Sequence, residues 1–171
     1  KLMSENPVWR PSGARIAQSR LSEFMDLVDC TWGFSAKNYQ DLHQWTINEP
    51  EKFWKSLWDF GGVISETAGN IVIRDAQKLP GAIFFPDAKL NFAENLLRRR
   101  DHKPAIIFNS ENCIKRNFSY QELYDFVSQL RQAMIKTGIK PGDRVAALLP
   151  NIPESVACML AATSLGALWS S

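Results

Sequence analysis

The side chains that could do chemistry in this sequence are few and far apart. There are two histidines, His43 and His102, and three cysteines, Cys30, Cys113 and Cys158. Nucleophilic catalysis needs a nucleophile, a base and an orienting group brought together, and no such set is readable around either histidine. Both read as structural or solvated residues. Cys158 lies among Val156, Ala157, Met159 and Leu160, where a free cysteine behaves as inert packing. Glu154 follows Asn151 by three residues, which reads as a helix start and accounts for it. Arg98-Arg99-Arg100 with Lys103 is the densest basic run. Followed by Asp101 and without interleaved aromatics, it reads as a solvated helix end rather than a nucleic-acid patch. Holding phosphates calls for a glycine-rich loop, a cation and carboxylates for magnesium. No such loop is readable: the adjacent glycine pair is Gly61-Gly62, and neither a P-loop nor a Gly-x-Gly-x-x-Gly pattern occurs. No catalytic, cofactor-binding or metal-ligating residue is therefore assigned from the sequence.

The elements that would position a site are easier to read. Ser119 with Glu122 forms a capping box, and Phe118 before it is set to staple onto Leu123. Leu123, Phe126, Val127, Leu130 and Met134 then share one helical face. Gly138 and Ile139 read as the left-handed stop of that helix, and Pro141-Gly142-Asp143 as a turn. Val145 to Leu149 is apolar at every position, which predicts a strand covered on both faces. Asn151, Pro153 and Glu154 start the next helix, Gly166 ends it, and Ala167 to Trp169 is a further strand. Strand, helix and strand with short links predict a βαβ unit and a parallel sheet. Ala105 to Phe108 and Cys113 to Phe118 read as two strands joined by the turn 109–112.

The first hundred residues read differently. An irregular start carries Trp9 and Pro11, and Met3 after Lys1-Leu2 reads as a native start. Ser19 caps a helix with Leu21, Phe24, Met25 and Val28 on one side, and Gly33 stops it. Asn38 with Asp41 caps a helix through Leu42 and Trp45. Asn48, Pro50 and Glu51 start another, which carries Phe53, Leu57 and Phe60 beside Trp54 and Trp58 and ends at Gly61-Gly62. So wide a stripe predicts burial over most of that helix. The tryptophan cluster reads as a satellite core rather than a ligand cage. Ile71 to Ile73 is a short strand, Lys78 to Asp87 a loop, and Leu90 to Leu97 a short helix.

Together these motifs carry a resemblance. Phe118-Ser119-Tyr120-Gln121-Glu122-Leu123 is similar to the first core motif of the adenylate-forming enzymes. Gly142-Asp143-Arg144-Val145, Pro150 to Glu154 and Gly166-Ala167 resemble the segment downstream of that motif in acyl-CoA synthetases. Leu42 to Ile47, Glu51 to Trp54 and Phe85 to Leu97 are similar to the N-terminal region of the acetyl-CoA synthetase branch. Pro86 to Leu96, Leu168 to Ser171, Pro7 to Pro11 and Ser19 to Met25 resemble most the acetoacetate-activating members of that branch.

The resemblance implies an α/β fold: a helical, Trp-rich N-terminal extension over 1–100, then the first βαβ part of the large adenylating domain over 101–171, cut short. It implies a parent ligase that joins acetoacetate to CoA with ATP and magnesium through an acyl-adenylate. The phosphate loop and the catalytic lysine of such an enzyme fall beyond Ser171, so the 171-residue chain alone is expected to be inactive and to bind no cofactor. An acetyl- or propionyl-CoA synthetase and a self-standing, non-catalytic binding or regulatory domain are the alternatives. Net charge of +2 points to no nucleic-acid or membrane partner. No apolar run approaches ~18 residues, and the odd, scattered cysteines fit a reducing cytoplasm. An unfinished parallel sheet leaves an open edge, so self-association through the segment from about Pro150 is expected.

Overall fold

The computed structural model describes residues 9–111 and 113–171. Met3, the Pro7-Val8 segment and Asn112 of the expected turn lie outside the described residues. The chain divides into two compact units. The first comprises residues 9–63 and Gly69–Pro86, the second Ile64–Ala68 and Asp87–Ser171.

The first unit holds helices α1 (Gly13–Ala17), α2 (Arg20–Trp32), α3 (Tyr39–Asn48) and α4 (Pro50–Gly61), with a two-residue pair β1 (Ile73–Arg74) and β2 (Ile83–Phe84). The Ser19 side chain caps α2, and Gly33 closes it at φ 66°. The Asn38 side chain caps α3 by accepting from the Asp41 amide. Phe24, Val28, Leu42 and Trp45 form the core, with Phe53, Phe60 and Phe34 partly buried against it. Aromatic geometry fixes it. Phe34 stacks on Trp45 at 5.5 Å, while Phe24 meets the edge of Phe60 at 5.3 Å.

Three expectations fail here. Asn48 does not start α4. It ends α3, where its side chain accepts from Gln44, and Glu49 stands at the cap of α4 without a side-chain bond to the helix amides. Proline fits the first helical position, where its missing N–H costs nothing, so Pro50 moves the start forward. Nor is α4 buried around its girth, since its one buried residue is Ser56. That hydroxyl accepts from Trp32 Nε1 at 2.7 Å, which satisfies both groups. The rings of α4 pack partly buried instead, Trp54 on Phe84 at 5.1 Å and Trp58 on Phe85 at 4.4 Å. Lastly, the segment read as a loop contributes β2, which pairs antiparallel with β1, Ile73 opposite Phe84.

The second unit begins with α5 (Phe92–Leu96), then the hairpin β3 (Pro104–Asn109) and β4 (Lys115–Ser119), α6 (Tyr120–Lys136), β5 (Arg144–Ala146), α7 (Pro153–Ser164) and β6 (Leu168–Ser170). β3 and β4 are antiparallel, with an irregular register between Pro104 and Ile106. β5 and β6 are parallel, Val145 opposite Trp169, with α7 as the crossover. The core lies between helices. Leu123 and Val127 of α6 meet Ala157, Leu160 and Ala161 of α7, with Ala93 and Leu97 beside them. Phe126, Leu130 and Met134 extend the predicted face of α6.

Two further expectations are corrected. The strand read as Val145 to Leu149 is shorter and open. Leu148 is fully exposed and Leu149 is 44% exposed. An apolar run marks a covered strand only where neighbours cover it, and among the described residues β5 pairs with β6 alone. Asn151 does not cap α7. Pro153 occupies the first helical turn, Ile152 stands at the cap, and no side chain bonds there. Among the described residues no helix is long and apolar enough to cross a membrane.

Candidate functional site

The junction of β4 and α6 is closed by a capping box. Ser119 accepts from the Glu122 amide, and Glu122 accepts in return from the Ser119 amide at 2.8 Å and its hydroxyl at 2.7 Å. These bonds hold the Glu122 carboxyl below its ordinary range, the backbone bond first, with His102 adding a weaker pull. Phe118 stacks on Phe126 at 6.3 Å, one turn beyond the Leu123 expected as its partner. At the far end Gly138 at φ 90° donates to Ile135 and Ile139 donates to Met134, a doubly bonded left-handed stop.

The basic run before this junction is not simply solvated. Arg99 pairs with Asp101 at 2.8 Å and lies 4.4 Å over the Tyr120 ring. Arg100 lies 3.8 Å over Tyr124. The Tyr120 amide donates to the Lys103 carbonyl and the Gln121 amide to that of Asp101. The turn 98–103 is thus held against the start of α6. The Arg99 bond lowers the Asp101 carboxyl, with a second bond from the Lys103 amide.

Glu154 has a partner that no local pattern indicated. Arg116 of β4 grips it with both guanidinium nitrogens, at 2.6 and 2.8 Å. Bidentate charge-assisted geometry of this kind sets orientation as well as energy. The Arg116 bond holds the Glu154 carboxyl low. The same guanidinium lies over Phe108 and Phe118 at 5.4 and 6.0 Å. The hairpin is thereby tied to the first turn of α7. Asn91 was also unassigned. It caps α5 by accepting from the Glu94 amide, and its Nδ2 donates to the Thr163 carbonyl at 3.1 Å. Its signal was present, an Asn with Glu three residues on; that of the Arg116–Glu154 pair was not, at a separation of 38.

The other candidates stay apart. His43 stacks on Tyr39 at 6.0 Å and is exposed, and His102 is exposed in the turn before β3. Burial, and then the Glu154 charge, push the Cys158 thiol up, the direction that disfavours the thiolate. Cys30 and Cys113 are exposed thiols. Among the described residues no three His, Cys, Asp or Glu side chains are placed to hold a metal ion. A cavity of about 650 Å³ opens beside α5 and α6, lined by Arg98, Arg100, Arg131, Glu94 and Tyr124 among others. An apolar groove of about 460 Å³ runs between α2, α3 and α4.

Comparison with known proteins accounts for the order of these elements. Residues 39–96 match the family model of the acetyl-coenzyme A synthetase N-terminus, and residues 92–170 that of AMP-binding enzymes. The chain is 41% identical over 170 residues to acetoacetyl-coenzyme A synthetase of Rhizobium meliloti, covering 99% of the chain and 26% of that protein. It is 35% identical to acetoacetyl-CoA synthetase of Xenopus tropicalis, over 99% of the chain and 25% of the relative. The solved acetoacetyl-CoA synthetase from Streptomyces lividans superposes with a TM-score of 0.86 at 35% identity, over 97% of the chain and 26% of that structure. The chain spans about a quarter of the length of the relatives it matches.

Proposed function

We propose that this chain belongs to the acetyl-CoA synthetase branch of the AMP-binding enzymes, and that its parent protein is an ATP-dependent acetoacetate–CoA ligase of which this chain is the N-terminal quarter. In that reaction a carboxylate oxygen of acetoacetate attacks the α-phosphorus of ATP, and pyrophosphate leaves. The CoA thiolate then attacks the acyl-adenylate carbonyl, and AMP leaves with the electron pair of the cleaved C–O bond. Magnesium, when bound, neutralises phosphate charge in the first step. The observation that carries the reading is collinearity. One relative matches the chain from end to end, through both the extension and the adenylating segment.

The chain's own part in this reading is structural. Residues 1–100 are the extension and residues 101–171 the beginning of the adenylating α/β domain. The capping box at Ser119 and the Arg116–Glu154 clamp fix the hairpin, α6 and α7 as a platform. The parent works in the cytoplasm on small molecules, without nucleic-acid or membrane partners. The isolated chain is inactive, holds no cofactor and associates with itself. Exposed Leu148, Leu149 and Leu168 around the β5–β6 pair support that last point.

The test uses the full-length protein with ATP, magnesium and CoA, offered acetoacetate, acetate or propionate. Acetoacetate should give the highest kcat/KM. A preference for acetate or propionate would overturn the substrate assignment, and no thioester from any acid would overturn the ligase. Light scattering on the 171-residue chain at micromolar concentration should report a dimer or larger species. A clean monomer would refute self-association.

A further inference from the structure

The cavity beside α5 and α6 has a lining of specific chemistry. Tyr124, Val127, Ser128 and Arg131 line it from α6 at spacings of three and four, so one stripe of that helix faces it. Leu97 and Val127 give it an apolar floor, 8% and 2% exposed. Arg98, Arg100 and Arg131 stand around it against a single lining carboxylate, Glu94. Arg98 has contacts of its own, so the grip falls to the other two.

Arg100 is held in place by its stack on Tyr124 at 3.8 Å. A stacked guanidinium keeps its in-plane N–H fork for an anion, and it is weakly hydrated, so little is lost on binding. The last turn of α7 would oppose an anion through its carbonyls. Asn91 Nδ2 already donates to those of Thr163 and Ser164, at 3.1 and 3.4 Å, which removes much of that opposition. The volume of about 650 Å³ suits a small molecule.

We propose that this cavity binds a small phosphate-bearing anion, gripped by Arg100 and Arg131 over the Leu97–Val127 floor. Binding here does not require the proposed ligase reaction. Inorganic pyrophosphate is the probe, titrated calorimetrically into the 171-residue chain at fixed ionic strength, with citrate as the carboxylate arm. Saturable binding at one site is expected, weakened at least tenfold by Arg131→Gln and by Arg100→Gln. Arg144→Gln, outside the cavity, should leave it unchanged. Thermal melts by circular dichroism accompany each variant. Should Arg100→Gln unfold the chain, Arg131→Gln decides alone, because Arg131 is exposed on α6. Absence of saturable heat, equal affinity in the arginine variants, or citrate binding as tightly as pyrophosphate would each overturn the proposal.

Discussion

The two units of this chain solve the same packing problem with different materials. The first is held by rings: Phe24, Phe34, Trp45, Phe53 and Phe60 meet at edges and faces around Val28 and Leu42. The second is held mainly by aliphatic side chains and by its helix ends. Ala157 and Ala161 let α7 approach α6, and both helices are fixed at their boundaries by left-handed stops or charged pairs. Ring packing concentrates stabilisation in a few large residues, because each buries a large area and adds a geometric preference. Aliphatic packing spreads it along an interface and leaves more to caps and ion pairs.

That contrast can be broken by truncation. Trp45→Ala should cost about 3–5 kcal/mol, and Leu160→Ala about 2–5 kcal/mol. The first loss should appear in tryptophan fluorescence, because Trp9, Trp32, Trp45, Trp54 and Trp58 lie in the first unit and only Trp169 in the second. The second should appear in hydrogen exchange of α6 and α7. If Trp45→Ala lowered protection in α6 as much as in α2, the two cores would not be separate.

Much of this contrast was readable in advance, and where it was not, the reason is physical. Ser19, Asn38 and Ser119 cap the helices expected of them, since a cap is a local bond between residues three apart. Asn48 and Asn151 failed as caps although the same pattern surrounds them. A proline two residues on claimed the first helical position and moved the boundary. The apolar run after Arg144 predicted cover on both faces, but cover belongs to neighbours and not to the strand. Arg116 and Glu154 are far apart in sequence, and neither residue's surroundings hint at the other. The arginines at 98–100 are exposed as read, but the tyrosine contacts of Arg99 and Arg100 lie a hairpin away and were not legible.

Smaller effects sharpen the claim that the second unit depends on its ends. Ser119→Ala should lower its stability by about 1 kcal/mol and Ser119→Gly by less, because glycine is a tolerable cap. Equal losses in thermal melts would mean that the hydroxyl acts outside capping. The smallest effect is in acid. Glu154 and Glu122 are both held below the ordinary carboxylate range. Each therefore stabilises the fold above the unfolded glutamate pKa of roughly 4.3 and loses that contribution as pH falls through its lower folded value. Melting of the second unit should decline with pH in that window. Glu154→Gln should flatten the decline, and an unchanged slope would remove Glu154 from the account.

On the proposed reading, this chain is platform and not machinery. Pyrophosphate release tests it most directly, measured for the 171-residue chain and for the full-length protein with ATP, magnesium and acetoacetate. Release is expected from the full-length protein, and none above a denatured control from the chain. Sustained release by the chain alone would contradict it.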